Sequence, residues 1–272
     1  QLGQGGISQA FLGAGVTLFK RLSLGVDGQY YFGSVSKYTS ATFASASSYR
    51  SINSGWTYTL RGLGVKFGLQ YEQPLNENNS MVLGATYRPG VVLDGMVNRF
   101  AYGIMSSTDT IINSKQPVDG YTVPAEIGAG VSFRHGDKWS AGFDYTRQDW
   151  TGASIGENPG TGFVASLQES YKAGFEFTPN RYDSRYYYKH ITYRGGCYYE
   201  KSLYSVNGYQ VGREGITFGV SLPVYRYFNS LNFGVDIGQR GSVTNGLVRE
   251  RYILFTASFA LHDIWFLKPM YE

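Results

Sequence analysis

The feature that most constrains this chain is an alternation of side-chain type with a period of two. Between Leu60 and Glu72 one parity reads Leu63, Val65, Phe67, Leu69, Tyr71, and the other Gly62, Gly64, Lys66, Gly68, Gln70, Glu72. The pattern returns in 125–134, 171–177 and 231–238. A period of two belongs to β-strands whose faces meet different surroundings. The second face selects the class. A soluble sandwich turns Lys, Glu and Thr to water, and glycine weakens a strand there. Here the polar parity is full of glycine and carries isolated charges of both signs. A closed transmembrane barrel accounts for this: the apolar face meets lipid and the other lines a crowded interior. Leu63, Val65, Phe67, Phe175, Phe233 and Phe255 are expected to face lipid.

Composition agrees. Glycine supplies 36 of 272 residues and aromatics 17 %, while charged residues are only 16 %. Disordered chains are poor in aromatics and rich in charge, so disorder is excluded. The 24 basic and 20 acidic residues give a net charge of +4 without clustering, which argues against nucleic acid as a partner. The single cysteine, Cys197, excludes an internal disulfide; its parity points outward. No run of about 18 apolar residues occurs, so no helix is expected to span a bilayer.

About eleven strands are expected, near 8–20, 22–32, 58–73, 80–91, 123–134, 139–149, 165–177, 187–200, 214–223, 230–238 and 249–261. The connections alternate. Short ones fall at 20–21, 74–79, 135–138, 178–185 and 224–229, and long ones at 33–57, 92–122, 150–164, 201–213 and 239–248. The stretch 92–122 leaves room for a further hairpin. Transmembrane barrels pair short periplasmic turns with longer outer loops, which points to a bacterial outer membrane. Tyr186 to Tyr188 and Tyr198-Tyr199 bracket one strand as an aromatic girdle would. Single-chain bacterial barrels have even strand counts, so an odd count implies an upstream part not in this chain, of about three strands with a plug segment.

Little in the sequence carries chemistry. Gly152-Ala-Ser154-Ile-Gly156 matches a nucleophile elbow, but it lies in an outer loop with no helix to follow. His135, His190 and His262 have no metal-site spacing. No catalytic residue, metal or cofactor is expected, and the chain is not read as an enzyme. The candidate lumen-facing residues are Asp27, Lys66, Arg88, Glu126, Asp144, Lys172, Glu176, Arg194 and Asp236. Their mixed signs argue against an ion-selective pore and favour a lumen held by ion pairs. Asp144, Lys172 and Arg194, the deeper ones, are expected to be neutralised by opposite charges.

Residues 11–35, FLGAGVTLFKRLSLGVDGQYYFGSV, and 64–95, GVKFGLQYEQPLNENNSMVLGATYRPGVVLDG, resemble the FadL/TodX family of outer-membrane transporters for hydrophobic compounds. The second segment carries Tyr87-Arg88 near a strand end. The tail, from GITFGVSLPV at Gly215 through SLNFGVDIGQRGSV to HDIWFLKPMYE, is similar to a divergent branch of that family. The resemblance implies a fourteen-strand barrel with an N-terminal hatch. Residues 1–272 would then be a single outer-membrane β-barrel domain, with hatch and first strands outside this chain. It also implies a channel for hydrophobic small molecules. The alternative, from the same branch, is a non-transporting barrel subunit of an outer-membrane protein assembly or secretion complex. The channel predicts an apolar pocket near the outer side and a gap or kink in the wall. The subunit predicts a plugged lumen and an outward surface covered by other proteins. The partners called for are outer-membrane lipid and lipopolysaccharide, then a hydrophobic ligand in the first case and other outer-membrane proteins or lipoproteins in the second.

Overall fold

The alternating segments become strands, and the short polar connections become turns. The computed structural model describes residues 2–42, 51–104, 108–153, 163–183, 185–224, 229–244 and 246–261. The strands are β1 (Leu2–Leu18), β2 (Leu22–Ala41), β3 (Ser51–Pro74), β4 (Asn79–Arg88), β5 (Val91–Ile104), β6 (Thr108–Val123), β7 (Glu126–His135), β8 (Trp139–Asp149), β9 (Phe163–Ala165), β10 (Leu167–Phe177), β11 (Thr192–Val206), β12 (Tyr209–Val224), β13 (Asn229–Arg240) and β14 (Glu250–Ala260). All pairings are antiparallel within one sheet.

Eleven of these form the through path β1-β2-β3-β4-β7-β8-β10-β11-β12-β13-β14, at the expected places. The other three lie off it. The stretch 92–122, expected as a long connection with room for a further hairpin, is mostly the β5–β6 hairpin, and β5 pairs with the upper part of β3. The expected loop 201–213 is instead a continuation of β11 and β12 around a tight turn at Asn207-Gly208. Both turn residues have positive φ, 51° and 80°, as the tightest hairpin turns require. The strand expected from 187 begins later, at Thr192. Tyr187–Lys189 is a single 3₁₀ turn before it.

Strand lengths separate a membrane-spanning wall from an extension. A spanning β-strand needs about 9–11 residues. β4 and β7 have 10, and β8, β10 and β14 have 11. β2 has 20 and β3 has 24, so both overshoot by a wide margin.

The side-chain pattern records where that overshoot begins. On the lower part of β3 the outer parity is Leu63, Val65, Phe67, Leu69 and the inner parity Gly62, Gly64, Lys66, Gly68. On the upper part the same parities read Asn53, Thr57, Thr59, Arg61 outside and Trp56, Tyr58, Leu60 inside. The polarity inverts between Arg61 and Leu63. Below that level the outside is lipid and favours apolar side chains. Above it the outside is water, and the apolar side chains pack inward. Tyr30 and Phe32, facing Leu63 and Arg61 across the ladder, stack there at 5.6 Å between ring centres. On the opposite part of the wall Tyr145, Tyr171 and Tyr199 stand in one row of the outer face. These are interfacial aromatics. Tyr198, expected in the girdle, belongs to the other parity and turns inward.

Leu63 and Phe255 are 78 % and 76 % exposed on the outer face, and Phe67, Phe175 and Phe233 are also exposed there, with Val65 partly so. Among the described residues β1 and β14 are the open edges of the sheet. Ten alternations of direction separate them along the path, so they run the same way and cannot pair antiparallel with each other.

Candidate functional site on the inner face

The nine candidate charges fall on one face, and the register links them. Asp27 stands opposite Lys66, Arg88 opposite Glu126, Asp144 opposite Lys172, and Glu176 opposite Arg194. Thr217, two residues from the partner of Arg194, stands opposite Asp236. Two of these opposites, Arg88 with Glu126 and Glu176 with Arg194, are ion pairs, and the other two are not. Lys66 Nζ lies 3.0 Å from Glu126 Oε1, and Arg88 Nη2 lies 3.7 Å from Glu126 Oε2. Lys172 pairs with Glu200 at 3.1 Å, and Arg194 Nε with Glu176 Oε2 at 2.8 Å. Asp144 departs from expectation: among the described residues it has no cation within ion-pair range. Its carboxylate lies over Gly130, where a side chain would collide with it, and Lys172 has turned to Glu200. Asp27 lies in the same way over Gly13.

A second cluster joins β11 to β14. Tyr198 Oη donates to Asp236 Oδ1 at 2.8 Å and shares a short hydrogen bond with Tyr252 Oη. Arg213 Nε donates to Tyr252 Oη at 2.8 Å, its guanidinium lies 4.9 Å from the Tyr198 ring centre, and Nη2 reaches Asp236 at 3.4 Å. Gly215 and Gly238 provide the room, since a Cβ at either would strike the tyrosine hydroxyls. Sequence reasoning missed Arg213, Glu200 and Tyr252. The signal was present, because all three share the parity of Arg194 and Asp236 through the ladder.

The upper inner face is a solid apolar cluster. Tyr31, Tyr58, Leu60, Val91, Leu93 and Val97 are buried, Leu93 to 0 % exposure and Leu60 to 2 %. Val118, Tyr121 and Val123 of β6 and Ile7 and Trp56 pack against them. Gly62 and Gly64 bring β3 close enough for Leu93, Val91 and Tyr31 to fill the space above their Cα atoms.

Directly below that cluster the wall breaks. β4 ends at Arg88 and β5 starts at Val91, while β6 ends at Val123 and β7 starts at Glu126. Pro89-Gly90 and Pro124-Ala125 therefore interrupt neighbouring strands at one level. Proline cannot donate to a ladder and favours such breaks. Arg88 Nη2 and Gln148 Nε2 donate to the freed Pro124 carbonyl at 3.2 and 3.0 Å. Arg88 Nη1 is buried without a partner.

The lower inner face is open. Gly15, Gly25 and Gly68 stand in one row, and Gly142, Gly174 and Gly196 in another. They help floor cavities of about 820 and 660 Å³ whose charged lining includes Arg134, Asp144, Glu176 and Arg194. Lys172, though paired, is 58 % exposed, so this half is not filled as expected.

At the short-turn end the segment between β10 and β11 is tied down by Asp183. Its carboxylate accepts from Lys189 Nζ at 2.7 Å and from the backbone N–H groups of Arg185 and Tyr186, each at 2.9 Å. Lys189 first, and then the two amides, hold its pKa down to about 2. His190 lies in this segment, outside the strand it was expected to occupy, and bonds to the Asp183 carbonyl. His262 and the core of the elbow-like motif, Ser154 to Gly156, lie outside the described residues.

An antiparallel wall with an apolar band on its outer face and glycine with charged side chains on the lower part of its inner face is that of an outer-membrane β-barrel. The family model of BamG matches residues 1–272, and the chain belongs to the BamG family. Its fold is shared with the monoaromatic hydrocarbon channel CymD, at TM-score 0.65 and 15 % identity over 96 % of this chain and 75 % of that one. It is shared also with the toluene transporter TbuX of Ralstonia pickettii, at 0.60 and 14 % over 95 % and 68 %, and with the toluene transporter TodX of Pseudomonas putida, at 0.56 and 15 % over 94 % and 68 %. No curated protein matches. The FadL/TodX resemblance is thus one of fold, and the family is a different one.

Proposed function

We propose that this chain is a barrel subunit of a protein assembly in the bacterial outer membrane. The observation that carries this reading is the filled apolar cluster around Leu93. A conduit for hydrophobic compounds needs an apolar cavity on its inner face near the outer side. There the apolar side chains are packed against one another, and the inner cavities lie lower, floored by glycine, with Arg134 and Asp144 in the lining of one and Arg134, Glu176 and Arg194 in that of the other. Membership of the BamG family supports the same reading. No catalytic role is proposed. The test is purification from outer membranes in mild detergent, followed by mass spectrometry. Stoichiometric protein partners are the expected result. A lone barrel carrying bound hydrophobic ligand would overturn it.

A second reading rests on a different observation. The paired breaks at Pro89-Gly90 and Pro124-Ala125 are the kink that a channel wall would have, and the structural neighbours are hydrocarbon and toluene carriers. In that reading the Leu93 cluster would have to move to admit a ligand.

A further inference from the structure

A third inner-face cavity, of about 350 Å³, opens at the short-turn end between the β7–β8 turn and the segment preceding β11. Six charged side chains line it: Arg134, Lys138, Arg181 and Arg194, with Asp137 and Glu176. Glu176 is taken by Arg194 at 2.8 Å. Among the described residues Arg134, Lys138 and Arg181 have no acidic partner, which leaves three cations against the single carboxylate of Asp137. Hydroxyl groups of Ser140 and Thr192 complete a wall with little apolar surface. Unpaired like charges crowded at one opening repel each other, and an anion entering between them relieves that cost.

From this we infer that the cavity receives an acidic polypeptide segment of a partner that approaches from the periplasmic side, where the short turns of such barrels lie. The inference rests on the assembly reading above and names one of its contacts. Charge complementarity selects an anion. Position selects a polypeptide over a membrane lipid, because Arg134, Ser140, Glu176 and Arg194 all lie on the inward parity, away from the lipid-facing band. The hydroxyls can donate to carboxylates that the guanidinium groups hold by charge-assisted bonds. Asp183 keeps the segment carrying Arg181 in place.

The experiment is a titration of the detergent-solubilised protein with labelled hexaglutamate, with hexaglutamine and inorganic phosphate as comparators. Hexaglutamate should bind, hexaglutamine should not, and affinity should fall as salt rises. Arg134→Ala and Arg181→Ala should each weaken binding by about tenfold, the value of one charge-assisted hydrogen bond. Arg181→Lys should recover part of the loss. Unchanged binding in both alanine variants would overturn the inference. So would inorganic phosphate displacing the peptide at equal concentration, which would mark a small-anion site. Purifying the same variants from membranes separates the two claims. If partners still co-purify with Arg134→Ala/Arg181→Ala while peptide binding never involved the cavity, the cavity assignment fails and the assembly stands. If the wild-type protein purifies alone yet binds hexaglutamate through these arginines, the assembly reading fails and the anion site stands.

Discussion

Arg88 on β4 and Glu126 on β7 face each other across the ladder, 3.7 Å apart, on the last rung before both strands break. Arg88 is 5 % exposed. Glu126 also holds Lys66, at 3.0 Å. One carboxylate therefore neutralises two cations at the boundary between the open lower face and the packed upper one.

Removing that carboxylate should cost more than removing either cation's share of it. Glu126→Ala leaves Arg88 buried and uncompensated, a situation worth about 3 kcal/mol or more. Lys66→Ala removes a more exposed partner and should cost under about 1 kcal/mol. Urea unfolding in lipid vesicles, followed by tryptophan fluorescence, measures both. Equal costs would show that burial at the break is not what matters.

The glycines near the Tyr198–Tyr252 pair are there for space, and Gly174 of the open floor is not. Gly215→Val must push Tyr198 out of its notch, and overpacking of this kind costs about 1–3 kcal/mol. Gly174→Ala meets nothing within 4 Å and should be close to neutral. The thermal midpoints of the two variants by circular dichroism provide the comparison. A large loss at Gly174 would mean that something else approaches that floor.

The polarity inversion on β3 places a boundary that charge can probe. Phe67→Arg, in the lipid-facing band, should destabilise by about 2–4 kcal/mol, falling towards about 0–1 near an interface. Thr57→Arg, on the same parity but above the inversion, should be tolerated. Folding yields into vesicles for the two variants decide it, and similar penalties would put the boundary elsewhere.

The segment between β10 and β11 should be insensitive to mild acid. The Asp183 pKa is lowered to about 2, well below the usual range of an aspartate. A depressed carboxylate pKa contributes stability that is present above the unfolded value and is lost as pH falls through the folded one. Order in this segment should therefore hold down to about pH 4 and fade between about pH 4 and 2. Hydrogen exchange at the amides of Arg185 and Tyr186 reports it. Asp183→Asn should abolish this dependence and speed tryptic cleavage after Arg181 at neutral pH.

The alternation in each strand was legible because it is local. Leu63, Val65 and Phe67 against Gly64, Lys66 and Gly68 need only the two-residue repeat of a β-chain to declare two faces. That placed the eleven path strands, the lipid-facing residues and the common face of Asp27 through Asp236. Which charges meet was not legible. Lys172 pairs with Glu200 rather than with Asp144 opposite it, and Arg213 joins Tyr198 and Tyr252 across three strands. Such partnerships depend on register and on how long side chains lean between strands far apart in sequence. The β5–β6 hairpin was legible only as room for one within 92–122, for another reason. Above the membrane level the meaning of the two parities reverses, so an apolar residue such as Leu93 marks the inside there, whereas Leu63 marks the outside. The alternation carries no sign of its own. Only the tertiary structure, by setting which stretch of each strand stands in lipid and which in water, decides what the two faces mean.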